Sequence, residues 1–171
     1  MKNVIIVGSG PAGITAGIYL TRAKIDNVVI TNNQGALSKA DMIENYYGFI
    51  QPIKGNELLE NGKQQYLNLG GKIKEDEIVG ITYEDKLVLK GIKENYKADI
   101  VIIATGVSRL LPNIKGLSDE LGISYCAICD AFFYRGKDVV VLGNGSYAIS
   151  EADVLTKTSN SVTILTNGRE I

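Results

Sequence analysis

The apolar residues of this chain fall into short runs with two different periods. Residues 3–7, Asn-Val-Ile-Ile-Val, have no polar alternation. Such a run suits a strand buried on both faces, as in a parallel sheet. Beyond it Ile14, Ile18 and Tyr19 recur at helical spacing, with Ala12, Ala16 and Ala23 between them. Residues 27–31, Asn-Val-Val-Ile-Thr, read as a second strand. Together they predict a βαβ unit of about thirty residues. Residues 56–69 predict a helix with Leu58, Leu59, Tyr66 and Leu69 on one side and Gly70-Gly71 as the stop. The stretch 72–98 changes character. Ile78, Ile81 and Tyr83 precede Glu84-Asp85-Lys86, and Leu87, Val88 and Leu89 follow, which predicts a small antiparallel meander with polar turns. Residues 99–104 give a further apolar strand ending at Thr105-Gly106. Residues 138–142, a helical pattern in Ile149, Ala152 and Leu155, and residues 162–165 predict a second βαβ unit.

Each unit carries a glycine loop between its first strand and its helix. The first is Gly8-Ser9-Gly10-Pro11-Ala12-Gly13. In a G-x-G-x-x-G loop the first glycine allows a tight turn, the second lets the backbone approach a pyrophosphate, and the third lets helix pack on strand. The helix N-terminus then offers free N–H groups and partial positive charge to phosphate. A glycine-rich structural turn is the plainer alternative. The carboxylate that commonly ends the second strand and holds ribose hydroxyls is missing, its place taken by Thr31-Asn32-Asn33. The second loop is Gly143-Asn144-Gly145-Ser146-Tyr147-Ala148. The predicted fold is α/β, with two Rossmann-like, doubly wound dinucleotide-binding modules in tandem and a small antiparallel meander. Pro112 marks the expected boundary, giving domains 1–111 and 112–171.

Composition narrows the function. The chain has 171 residues, 45% of them apolar, enough for one domain or two small ones. Lys plus Arg is 18 and Asp plus Glu is 19, a net charge of −1, which argues against a nucleic-acid binder. No apolar run is long enough to span a bilayer. Residues 1–8 are too quickly interrupted for a signal peptide, so the protein is read as cytoplasmic. There a cysteine pair is more often catalytic than structural. Cys126 and Cys129 are the only cysteines, histidine is absent, and Asp130 follows directly. One chain cannot close a four-ligand zinc site from two cysteines and no histidine. A site shared across a dimer and an inert buried pair remain as alternatives. Asp130 can equally be a helix cap or a solvated carboxylate.

The segments "VGSGPAGITAGIYLTRA", "MIENYYGF", "IVIIATG", "CAICDAFFYRGK" and "VVVLGNGSYAISEA" occur in that order. In this the chain resembles the low-molecular-weight thioredoxin reductases over essentially its whole length. The resemblance implies FAD on the first loop, with Gly8, Ser9, Gly10, Pro11, Ala12 and Gly13 near its pyrophosphate. Thr31, Asn32, Gly35 and Leu37 match positions near the adenosine part, Ile78 an adenine-contacting position, and Asn45 a flavin-side contact. Ala104, Thr105 and Gly106 match the segment under the cofactor. It implies a redox disulfide in which Cys129 faces the flavin and Cys126 attacks thioredoxin, with Asp130 as the acid, in a homodimer. C-x-x-C spacing lets two sulfurs bond without bending the backbone far.

The second loop departs from the usual family pattern. Bulky Tyr147 stands at a position that is Ser or Thr in ordinary members, and their His-Arg-Arg run is replaced by Thr166, Asn167 and Gly168. A 2′-phosphate would meet no cation there except Arg169, losing charge-assisted bonds worth about 1.5–3 kcal/mol each. This pattern is similar to the ferredoxin-dependent flavin thioredoxin reductases, which implies reduced ferredoxin as electron donor. Dependence on NADH or NADPH and a non-catalytic FAD-binding fragment are the alternatives. Family members continue beyond this length and return to the first domain with a Gly-Asp segment, so the chain is expected to be C-terminally incomplete.

Overall fold

The structure is a computed structural model that describes residues 2–32, 35–40, 42–107, 114 and 122–170. The chain divides into two compact units, Met1–Leu110 and Leu111–Ile171. Pro112, the expected boundary, lies outside the described residues.

In the first unit β1 (Asn3–Val7), α1 (Pro11–Arg22) and β2 (Asp26–Thr31) form the expected βαβ element. A 3-10 turn at Ala36–Lys39 follows, then α2 (Gly55–Asn68), β3 (Ile73–Glu75), β4 (Ile78–Tyr83), β5 (Leu87–Gly91), β6 (Asn95–Ala98) and β7 (Ile100–Ile103). A parallel four-stranded sheet runs β3-β2-β1-β7, and an antiparallel three-stranded sheet runs β4-β5-β6. The uniform apolar character of β1 and β2 has a direct cause. Val4, Ile6 and Val29 pack with Ile14 and Tyr66 on the helix side. Ile5 and Ile30 pack with Leu89, Tyr96 and Ala98 of the antiparallel sheet on the other. Alternate residues thus enter two cores, and neither face is left for water.

The sequence reading needs two corrections. Residues 73–75 were expected in the meander, yet they pair in parallel with Val29, Ile30 and Thr31. α2 provides the crossover that a parallel strand requires, and Lys74 and Glu75 are tolerated because β3 is an edge strand. Tyr19 was expected on the buried face of α1 but is 70% exposed. Five residues beyond Ile14 it is rotated by about 140° around the helix.

A polar knot fixes α1 and α2 against β2. The buried Tyr66 hydroxyl donates to Asn27 Oδ1 at 2.7 Å. Asn27 Nδ2 donates in turn to Thr21 Oγ1 at 3.0 Å and to the Ile25 carbonyl at 2.9 Å. Burial raises the Tyr66 pKa and keeps the phenol a donor. Gly17 lets the helices close, because a Cβ there would stand 2.8 Å from the Tyr66 ring.

The second unit holds α3 (Ala127–Asp130), a 3-10 turn at Ala131–Tyr134, β8 (Asp138–Leu142), α4 (Ser146–Thr156) and β9 (Ser161–Leu165). β8 and β9 pair in parallel. Ala127, Ala131 and Leu155 form its core, with Val139, Val141, Val154 and Val162 packed against them. Among the described residues no helix is long and apolar enough to cross a membrane.

Candidate functional sites

The first glycine loop is shaped by three close approaches. Gly8 has φ 110°, and a Cβ there would strike the Ala104 carbonyl. Its N–H donates to the Ile30 carbonyl at 2.8 Å. A Cβ at Gly13 would fall on the Gly8 carbonyl oxygen, so only glycine lets α1 start this close to β1. Gly10 is different. It is the N-cap of α1 with ordinary backbone angles, and a Cβ there would meet nothing within 4 Å. Pro11 starts the helix, no side chain caps it, and its first turn holds no acidic residue. The helix end is open and carries partial positive charge, which suits an anionic pyrophosphate. The residues present therefore fit the phosphate part of FAD.

The missing carboxylate at the end of β2 has a structural counterpart. Ser9, 2% exposed, donates its hydroxyl to Thr31 Oγ1 at 2.9 Å. This ties the loop to the strand end where ribose would be held. The structure thus brings together Gly8, Ser9, Gly10, Pro11, Ala12, Gly13, Thr31, Ala104 and Thr105, with Asn32 and Gly106 adjoining in sequence. Gly35 has φ 74° and leads into the Ala36–Lys39 turn that holds Leu37. Asn45 lies in the segment whose ends meet at the Ile43–Ile53 bridge. Ile78 starts β4 and packs on the core around Leu89 and Tyr96. These last four stand on elements of their own.

In the second unit Cys126 and Cys129 are joined as a disulfide, their Cα atoms 5.3 Å apart. Cys126 is half-buried at the N-cap of α3, whereas Cys129 is exposed. The Cys129 N–H lies 3.3 Å from Cys126 Sγ. Asp130 does not cap α3. Its Oδ2 accepts from the Ser124 hydroxyl at 2.5 Å, and Ser124 Oγ accepts from the Cys126 N–H at 3.1 Å. A hydroxyl therefore links the carboxylate to the backbone of the first cysteine, so Asp130 has a fixed orientation beside the pair.

Sequence reasoning missed Ser124 and Glu151 here, and it named Tyr147 without its contact to the cysteine loop. Ser124 is the hydroxyl just described. Tyr147 donates its hydroxyl to the Tyr125 carbonyl at 3.1 Å. Glu151 accepts the Ala127 N–H at 2.5 Å. Glu151 carried one legible signal: it falls at helical spacing among Ala148, Ala152 and Leu155, the buried positions of α4. In the second loop Asn144 Nδ2 donates to the Glu170 carbonyl at 3.0 Å.

A family model described as pyridine nucleotide-disulphide oxidoreductase matches residues 2–171. The chain belongs to that family. Thioredoxin reductase from Streptomyces coelicolor is 38% identical over 173 residues, covering 96% of this chain and 53% of its own length. The fold is also similar to solved thioredoxin reductases. That of Streptococcus pyogenes has a TM-score of 0.83 at 32% identity, covering 100% of this chain and 57% of its own. That of Giardia duodenalis has a TM-score of 0.87 at 32% identity, covering 96% and 56%. The chain thus spans about half the length of the curated relatives it matches. Family membership agrees with the α/β architecture and with the paired cysteines.

Proposed function

We propose that the protein is a flavin-dependent disulfide oxidoreductase that reduces thioredoxin, with electrons supplied by reduced ferredoxin. The observation that carries this reading is a closed Cys126–Cys129 disulfide whose first cysteine is linked through Ser124 to the Asp130 carboxylate. The first glycine loop, with Gly8, Ser9, Gly10, Pro11, Ala12, Gly13, Thr31, Asn32, Ala104, Thr105 and Gly106, would hold FAD. Gly35, Leu37, Asn45 and Ile78 are assigned to its outlying contacts on the resemblance alone. When bound, FAD supplies a redox group that takes electrons singly or in pairs.

The chain's own residues do the rest. Breaking the Cys126–Cys129 bond takes two electrons and two protons and gives two thiols. The Cys126 thiolate then attacks a thioredoxin disulfide, forming a mixed disulfide and releasing one thioredoxin thiol. Cys129 attacks Cys126 Sγ, which re-forms the internal bond and frees the second thiol. Asp130, oriented by Ser124, is the group assigned to accept and return the thiol proton, since no histidine exists in the sequence. We further assign a homodimer working in the cytoplasm.

Ferredoxin is favoured as donor by the second loop. Tyr147 occupies the first turn of α4 and is bonded to Tyr125, and Thr166, Asn167 and Gly168 give no cation for a 2′-phosphate. One observation favours a nicotinamide instead. Gly145 is as open as Gly10, and the first turn of α4 also holds no cap and no acid. The deciding experiment is anaerobic mixing of the flavin-loaded whole protein with each donor while flavin absorbance is followed. Bleaching by reduced ferredoxin alone is expected. Bleaching by NADPH or NADH selects the nicotinamide reading, and a preparation that cannot hold flavin overturns both.

A further inference from the structure

We infer that Glu151 sets the reducing poise of the Cys126–Cys129 pair. The inference rests on the disulfide being redox-active, as proposed above. α4 reaches the cysteine loop at two points one helical turn apart. Tyr147 bonds the Tyr125 carbonyl and Glu151 bonds the Ala127 N–H, so the two contacts bracket Cys126 in sequence. Ala127 N–H belongs to the first residue of α3, where a helix start leaves backbone donors without partners. The N–H that faces Cys126 Sγ is that of Cys129, at 3.3 Å, while the Ala127 N–H is taken by Glu151.

Glu151 fixes a negative charge on the backbone one residue from Cys126. That charge, and the orientation of the loop that holds it, disfavour the thiolate. They act only on the ionised fraction of the reduced state, because neither the disulfide nor a neutral dithiol carries charge. A destabilised reduced form lowers the reduction potential; strong disulfide oxidants have the opposite arrangement. The Asp130 carboxylate, reached through Ser124, adds charge of the same sign. Among the described residues, Arg135 lies 5.6 Å from the Phe132 ring centroid and Lys137 5.8 Å from that of Tyr134. Glu151 thus acts as a positioning and tuning residue through the loop it holds, while the sulfurs carry the chemistry.

The test uses the whole protein with Glu151→Gln and Glu151→Ala. Each is equilibrated at about pH 9, where a cysteine of ordinary pKa near 8.5 is largely ionised, with graded mixtures of reduced and oxidised dithiothreitol, then acid-quenched and alkylated for thiol counting by mass. In this exchange the Cys126–Cys129 bond breaks and the ring disulfide of dithiothreitol forms, two electrons and two protons passing to the cysteines. Glu151→Gln, which keeps an acceptor but no charge, is expected to shift the equilibrium about tenfold toward the dithiol, equal to about 30 mV for a two-electron couple. Glu151→Ala is expected to shift it at least as far. An equilibrium unchanged in both variants, whether or not melting temperature falls, overturns the inference, as does a shift toward the disulfide. The readout does not involve turnover. Thioredoxin reduction surviving in Cys126→Ser would sink the proposed function and leave the measured equilibrium to stand or fall by itself.

Discussion

The two glycine loops share one βαβ frame and differ in what surrounds the helix start. At the first, Gly8 and Gly13 are pressed against backbone carbonyls and Ser9 is buried and bonded to Thr31. The α1 terminus beyond them carries Pro11 and Ala12, neither of which reaches across it. At the second, a Cβ at Gly143 would strike Ala148 and no carbonyl, and Asn144 bonds the Glu170 carbonyl beyond β9. α4 sends Tyr147 and Glu151 to the cysteine loop. One loop leaves its helix end clear, as the proposed phosphate site needs, and the other helix clamps the disulfide loop. The lesson is that a glycine spacing reports backbone geometry, whereas the contacts made by the helix's first two turns set the two loops apart.

Substitutions can break this contrast, and the largest effect belongs to the cysteines. Cys126→Ser or Cys129→Ser is expected to abolish thioredoxin reduction with flavin content unchanged, checked by turnover and the flavin spectrum of the same sample. Gly13→Val comes next. Its side chain collides with the Gly8 carbonyl, so a cost of about 3 kcal/mol or more and loss of flavin are expected in thermal melts. Gly10→Ala separates binding from folding. Nothing in the protein opposes its Cβ, so the flavin-free melting temperature should hold while flavin affinity falls at least about tenfold. Gly145→Ala is the matched control, expected to change stability by no more than about 0.5 kcal/mol and flavin content not at all. A loss of flavin in that control would erase the distinction drawn between the loops.

Acid sensitivity sharpens the same contrast, because its largest source lies in the unit that carries the first loop, whereas in the second unit Asp138 is lowered by the Ser161 hydroxyl and the Asn160 amide. Asp76 is 4% exposed and accepts from the Glu77 and Lys93 N–H groups at 2.8 and 3.0 Å and from the Tyr96 hydroxyl at 2.9 Å. Burial alone would raise its pKa, and the hydrogen bonds together outweigh that and lower it from 3.8 to about 2. A carboxylate depressed in the folded state stabilises above its unfolded pKa. That contribution is lost as pH falls from near 3.8 through about 2. Asp76→Asn should flatten the denaturant midpoint across this window; an unchanged slope would contradict the assignment.

Much of this arrangement could be read from the residues in order. Val4, Ile5, Ile6 and Val29, Ile30 form apolar runs because both faces of the parallel sheet are covered, and this is a purely local pattern. Gly8, Gly10 and Gly13 were legible from their offsets, although only the Gly13–Gly8 contact is local and the Ala104 carbonyl that demands Gly8 is distant in sequence. β3 was not, since three residues including Lys74 and Glu75 carry no period and owe their strand to pairing with β2. The Ser9–Thr31 and Glu151–Ala127 bonds span 22 and 24 residues, and no periodicity announces such contacts. The thiols were visible in the sequence, but the hydroxyl of Ser124 that orients Asp130 became visible only with the chain folded.

The most direct measurement follows where electrons arrive. Flavin-loaded wild-type protein and a flavin-depleted Gly10→Ala preparation are each given reduced ferredoxin anaerobically, quenched in acid, alkylated and digested. The account predicts that both Cys126 and Cys129 are labelled in the loaded protein and neither in the depleted one. Unlabelled cysteines in protein whose flavin has been reduced would contradict it.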